Sequence, residues 1–197
     1  MHEGDAMFYR PDQGHGLAHN PFKAVVSPRP IGWISTRMKG VGDNLAPYSF
    51  FNAVGDDPPL VMFAGDPRDS IGNARAAGVF AVNIVAEAAW SAMNATSARV
   101  APEVDEFALA GVAKAECETI DCPRVADAPA TLECVVERHV DLPGANHMVI
   151  GRVTGVHLRD DCLRGGRFDV TAFVPVARLG YKDYAFVREV RELDRPG

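Results

Sequence analysis

Hydrophobic and polar positions along this chain fall into short alternating runs more often than into helical stripes. Residues 31–37, IGWISTR, alternate and carry β-branched side chains, which predicts a strand. MKGVGD is a glycine-containing turn, after which NLAPYSFF takes an extended, partly irregular path. The breaker DDPP at 56–59 separates it from the strand LVMFA, and VFAVNIV reads as another buried strand. Residues 130–142 and 147–158 predict two long strands joined by the turn PGAN, a hairpin with long arms. Helical character is confined to SIGNARAAG, EAAWSAMNAT and EVDEFALAG; Asp69 or Ser70 is the expected N-cap of the first, and Gly78 its end. Strands dominate, helices are short, and no regular βαβ alternation occurs, so the expected fold is mainly β: an antiparallel barrel with a few short peripheral helices. No G-x-G-x-x-G follows a strand, which removes the usual dinucleotide-binding fold.

At 197 residues the chain fits one domain, with residues 1–20 as an N-terminal extension. Apolar residues are 47% and charged residues 23%, a soluble globular balance. A net charge of −6 without a Lys/Arg run argues against a nucleic-acid partner, and no apolar run reaches bilayer length. The N-terminus lacks a basic start followed by an apolar stretch, so no signal peptide is expected. Cys117, Cys122, Cys134 and Cys162 follow no paired-ligand spacing, which suits a cytoplasmic chain with free thiols. His15 and His19 have i, i+4 spacing, but Gly14 and Gly16 oppose the helix that would align them, and no metal site is expected.

The segment NLAPYSFFNA, residues 44–53, has too many hydrogen-bonding side chains for a core strand and too many apolar ones for a solvent loop. It suits a core role for Tyr48, Phe50 and Phe51 with Ser49 and Asn52 wet. It equally suits a flat apolar ligand with polar edges, since its small residues let backbone N–H groups approach. Arg68, Asp69 and Ser70 stand at the start of the first helix, where free N–H groups, a hydroxyl and a guanidinium make an anion site. Arg68 also reads as a solvated surface charge and Ser70 as an ordinary cap. Asn83 interrupts the apolar run FAVNIV, and an unpartnered buried Asn costs roughly 1–3 kcal/mol. It faces a ligand or bonds the backbone of a neighbouring loop.

In order, PRPIGWIST (28–36), NLAPYSFFNAV (44–54), DPPLVMFA (57–64), RDSIGNAR (68–75), FAVNIV (80–85) and MNATSA (93–98) closely resemble the flavin reductase-like family of FMN-binding split barrels. The resemblance runs from about Met7 to Val187 and includes VDEFALAG and PVARLGYKDY. It implies a Greek-key split-barrel homodimer that holds FMN near the subunit interface. The implied activity is a flavin reductase that passes hydride from NADH or NADPH to flavin and on to an acceptor. The alternatives are a flavoredoxin-like electron carrier reduced by a protein partner and an FMN-binding module without turnover. A monooxygenase or a redox protein is the implied macromolecular partner.

Position by position, the resemblance implies that Arg68 is the phosphate cation, Asp69 the cap and Ser70 a hydroxyl donor. Ser35 and Thr36 are implied ribityl or phosphate contacts. Ala46, Pro47, Tyr48, Ser49, Phe50 and Asn52 would meet the ring, and Ala95 and Thr96 the pocket. Asn83 is a flavin neighbour in this reading, and Trp33 is either a flavin neighbour or, more readily, a core residue. Arg178, Gly180 and Tyr184 would lie near the cleft of one subunit or the other. At the hairpin turn the family's GDH pattern gives way to Gly144-Ala145-Asn146-His147. Counting back from Gly151, Asn146 takes the place of the family's nicotinamide-binding His, and His147 should point to the opposite face of the strand. Asn146 and His147 are the catalytic candidates.

Overall fold

The structure, a computed structural model, describes residues 6–197; residues 1–5, the start of the expected N-terminal extension, lie outside the described residues. After the short helix α1 (Phe22–Val25) come strands β1 (Arg29–Pro30), β2 (Gly32–Met38), β3 (Gly42–Tyr48), β4 (Phe50–Asp56) and β5 (Pro59–Gly65). Helix α2 (Asp69–Ala77), β6 (Val79–Ile84), α3 (Trp90–Ala95) and α4 (Glu106–Ala110) follow. The chain continues through β7 (Lys114–Glu116), β8 (Pro123–Val125) and the long β9 (Ala130–Asp141) and β10 (His147–Leu158). It ends with β11 (Leu163–Arg164), β12 (Arg167–Phe168), β13 (Val176–Arg178) and β14 (Tyr184–Phe186). The segment expected to be partly irregular forms two strands, β3 and β4, broken at Ser49, and β4 has a register shift against β5 between Ala53 and Gly55.

The main sheet has the order β3-β2-β6-β9-β10-β5-β4, every pair antiparallel. Its edge strands β3 and β4 are separated in sequence by Ser49 alone, so the two edges must meet at that end. The sheet curls into a barrel joined at Ser49, with no ladder between β3 and β4 to seal the remaining seam. Side chains close that gap: a Cβ on Gly32 would come within 2.8 Å of the Phe51 ring, and one on Gly65 within 3.0 Å of the Tyr48 ring. The crossing from β5 to β6 supplies the Greek-key character. This is an antiparallel split β-barrel.

Period-two alternation divides the strands between two cores. Ile34, Phe63, Phe80, Val82 and Val149 fill the barrel, and α2 contributes Ile71 and Ala74. Rings of Tyr48, Phe63 and Phe80 meet edge to face, with centroids 5.0 Å apart in each successive pair. Gly151 is small of necessity, because a Cβ there would overlap the Phe80 ring. Outside the barrel, Trp33 and Leu45 pack with Met93 of α3, Phe107 of α4, Val125 and Val176.

Helix α2 ends as expected at Gly78, whose φ of 73° suits glycine and whose N–H reaches the Ala74 carbonyl. Its start differs from expectation: Arg68 holds the N-cap position, makes no side-chain capping bond, and Asp69 is already helical. An acidic residue in the first turn is favoured by the helix dipole without capping. EAAWSAMNAT divides into a 3₁₀ turn, Glu87–Ala89, and α3. Helix α4 is capped by Asp105, which accepts from the Phe107 N–H at 2.9 Å. No helix among the described residues is long and apolar enough to cross a membrane.

Candidate functional site

The end of β3, the turn into α2 and the loop after α3 converge on a cleft of about 590 Å³. Strand β3 lines it with Asn44, Ala46, Pro47 and Tyr48, and the turn with Asp66 through Ser70. Thr96 through Val100, Pro102 and Glu106 complete the wall. The first intrahelical bond of α2 runs from the Gly72 N–H to the Arg68 carbonyl at 2.9 Å. The N–H groups of Asp69, Ser70 and Ile71 therefore have no partner within the helix, and its positive end adjoins the cleft. Arg68 and Arg99 add two guanidinium groups to the lining.

A buried hydrogen-bond network supports this surface. The Glu106 carboxylate, 4% exposed, accepts from Asn44 Nδ2 at 2.9 Å and from the Leu45 N–H at 3.1 Å. Asn44 Oδ1 accepts from the Ser70 hydroxyl at 2.7 Å. Thr36 Oγ1 lies 3.4 Å from Asn44 Oδ1 and accepts from Asn73 Nδ2 at 3.2 Å. Thus α4 orients Asn44 on β3, and Asn44 orients the first turn of α2. Burial pushes the Glu106 carboxyl above its ordinary range, against its hydrogen bonds from Leu45 and Asn44. Burial likewise raises the Tyr48 phenol, which the Ser70 hydroxyl partly offsets.

Of the residues singled out from sequence, Ala46, Pro47, Tyr48, Arg68, Asp69, Ser70 and Thr96 come together at the cleft. Thr36 stands one hydrogen bond behind it, through Asn44. Trp33, Ser35 and Asn83 do not line it. Trp33 is a core residue, and its indole N–H donates to Thr96 Oγ1 at 2.8 Å, setting the Thr96 side chain in the wall. Asn83 donates to the Trp33 carbonyl at 2.9 Å and Ser35 Oγ at 3.0 Å, and accepts from the Val125 N–H at 2.8 Å and Thr131 Oγ1 at 3.0 Å. Ser35 in turn donates to the Pro123 carbonyl at 2.7 Å. The backbone partners of Asn83 thus lie in the strands β2 and β8 and not in a loop. The physical reason is period two: Trp33 and Ser35 share the outer face of β2, covered by α3, α4 and β8.

Three further positions fall off the cleft lining. Asn52 and Ala95 are exposed, Asn52 accepting from the Ala53 N–H at 3.0 Å. Phe50 lies under Lys23, whose Nζ is 5.6 Å from the ring centroid. Ser49, Arg178 and Tyr184 line a second pocket of about 370 Å³, which shares Pro47 and Ser97 with the cleft. Gly180 supports that pocket from behind, since a Cβ there would come within 2.7 Å of Ala24 Cα.

The sequence signature described as the Flavin reductase like domain matches residues 26–186. The chain belongs to the flavin reductase-like family. A protein of Deinococcus radiodurans is 37% identical over 186 residues, 87% of this chain and 82% of the relative. Nitrilotriacetate monooxygenase component B of Bacillus cereus superposes with a TM-score of 0.89 at 32% identity, covering 96% of this chain and 100% of that one. The 2-nitrobenzoate 2-nitroreductase of Pseudomonas fluorescens gives 0.82 at 30% identity, over 89% and 88% of the two chains.

Neither Asn146 nor His147 lines the cleft. Asn146 is exposed, and its carbonyl accepts from the Leu142 N–H at 3.0 Å to close the hairpin turn. His147 shares a face of β10 with Val149, and its Nδ1 lies 2.7 Å from Asp141 Oδ1. His139 also addresses that oxygen at 3.5 Å, and the two imidazoles stack with centroids 5.3 Å apart. The hydrogen bond from His147 holds the exposed Asp141 carboxyl below its usual range. The potential ligand atoms of these three residues lie within 4.8 Å of one another, a cluster the sequence reading missed. Its signal was an i, i+2 pair, His139 and Asp141, facing His147 across the turn.

Glu106 and Arg99, which also line the cleft, were not singled out from the sequence of this flavin reductase-like chain. Glu106 reads as a surface acid of a short helix until α4 is seated on β3. Arg99 follows MNATSA directly, so an extension of that motif by one residue would have found it.

Proposed function

We propose that the protein binds FMN non-covalently in this cleft and works as a flavin reductase-type oxidoreductase with NADH or NADPH as donor. The observation that carries the reading is the conjunction, in one cleft, of an unsatisfied helix start, two arginines and a small-residue apolar wall. A phosphate dianion suits the N–H groups of Asp69 to Ile71 and the guanidinium groups of Arg68 and Arg99, while the Ser70 hydroxyl proton is committed to Asn44. A flat tricyclic ring suits Ala46, Pro47 and Tyr48, where small side chains leave backbone polar groups within reach of its edge. The network from Glu106 through Asn44 to Ser70 holds these groups before the ligand arrives. Bound there, FMN supplies the hydride chemistry, while the protein orients it and limits access of water.

The expected result of reconstitution with FMN and desalting is a yellow protein with about one acid-releasable flavin per subunit, bleached anaerobically by NADH or NADPH. No binding on titration would remove the cleft as a flavin site. Binding without reduction by either nucleotide would favour a flavoredoxin-like carrier, a second reading motivated by the absence of Asn146 and His147 from the cleft. The protein is also expected to be a homodimer. Sedimentation as a monomer at micromolar concentration, with FMN still tightly bound, would contradict that assembly. Component B of the nitrilotriacetate monooxygenase motivates a search for a monooxygenase partner among proteins that accept reduced flavin.

A further inference from the structure

We infer that the pocket beside the cleft is an anion subsite, which holds the carboxylate or phosphate of a flat-ringed molecule. This rests on the flavin reading of the adjoining cleft. The chain has 26 acidic and 20 basic residues, yet Lys23, Arg29 and Arg178 line the pocket and neither Asp nor Glu does. Among the described residues, none of these cations has a carboxylate within 4.0 Å.

The two arginines rest their N–H groups on carbonyls, and Lys23 and Arg178 lie over the rings of Phe50 and Tyr184. Arg29 donates to the carbonyls of Lys23, Val26 and Leu179, the last at 2.8 Å. Arg178 donates to the Tyr181 carbonyl at 2.5 Å, and its Cζ lies 4.4 Å from the Tyr184 ring centroid. Carbonyls satisfy hydrogen-bonding capacity but leave the net charge uncompensated. Arg29 is 6% exposed, and its Nε is buried without any partner. Arg29 and Arg178 are also direct cross-strand partners on β1 and β13, where like charges oppose one another. Burial first, and Arg178 second, lower the pKa of Arg29.

A buried, unpaired charge beside a like charge is costly for the empty protein, and an arriving anion relieves both penalties. Tyr181 and Tyr184 supply aromatic walls, and the shared Pro47 and Ser97 make the pocket continuous with the cleft. The occupant is therefore an aromatic acid, whose carboxylate meets Arg178, or a dihydronicotinamide nucleotide, whose phosphates do so.

The test compares benzoate with benzamide, its neutral isostere, by titration calorimetry on protein with and without FMN. Benzoate should bind about tenfold or more tightly than benzamide. Arg178→Ala and Lys23→Ala should each reduce that preference while FMN is retained, and Arg178→Lys should keep part of it. A second arm compares reduction by NADH with reduction by dihydronicotinamide riboside, which lacks the phosphates. If Arg178→Ala slows NADH and spares the riboside, the nucleotide phosphate is the anion; if it affects benzoate alone, an aromatic acid is. Either supports the subsite. Equal affinity for benzoate and benzamide, with NADH unaffected by both substitutions, would overturn it. Failure of the protein to bind FMN would instead overturn the flavin reading, and calorimetry on the FMN-free protein keeps the two failures apart.

Discussion

The double substitution Arg68→Ala/Arg99→Ala is expected to weaken FMN binding by about a hundredfold or more and to leave riboflavin affinity nearly unchanged. Charge-assisted hydrogen bonds contribute roughly 1.5–3 kcal/mol each, and about 1.4 kcal/mol corresponds to tenfold in affinity. Two contacts at the lower end already reach a hundredfold. The lower end is appropriate because the Arg68 side chain is 44% exposed, and water screens its charge. Fluorescence titration of both ligands into the same variant makes the comparison internal. Equal losses for FMN and riboflavin would mean that the arginines act through folding. An unchanged FMN affinity would move the phosphate away from the start of α2.

Stability should fall steeply as the pH drops from about 4.5 toward about 2, largely through Glu133. Its side chain is fully buried, and burial alone would raise its pKa. The Thr119 hydroxyl, His157 and the N–H groups of Glu118 and Thr119 outweigh burial and hold it at about 2. The native pKa lies below the usual value of 4.5, so the unfolded chain takes up the proton first. The contribution is therefore full above the unfolded pKa and disappears as pH falls through the native one. At neutral pH it is on the order of 3 kcal/mol. Urea unfolding at several pH values should show a shallower acid dependence for Glu133→Gln than for the natural protein, together with lower stability at pH 7. Parallel curves for the two proteins would assign the acid sensitivity to other carboxylates.

Glu133 also illustrates how far local pattern carries. The expected span 130–142 matches β9 closely, because alternation within one strand is a local property. The pattern does not say that a glutamate inside that strand will be buried, since its partners at residues 118, 119 and 157 arrive from other elements. The same holds for IGWISTR. Alternation places Trp33 and Ser35 on one face and Ile34 and Thr36 on the other. It does not say which face meets a ligand, and here neither lines the cleft directly.

From its own residues the chain determined a strand-rich antiparallel fold, the long β9–β10 hairpin, the end of α2 at Gly78, and the position of Arg68 to Ser70 at its start. These depend on φ preferences, on side-chain alternation and on groups adjacent along the chain. Only the tertiary structure decided that the sheet's edges meet at Ser49, that α4 carries Glu106 under Asn44, and that Arg29 lies opposite Arg178 across 149 positions of sequence. Those outcomes depend on which surfaces cover one another. Covering a surface is what turns an ordinary carboxylate or guanidinium into a buried, oriented group, and no short stretch of sequence specifies its cover.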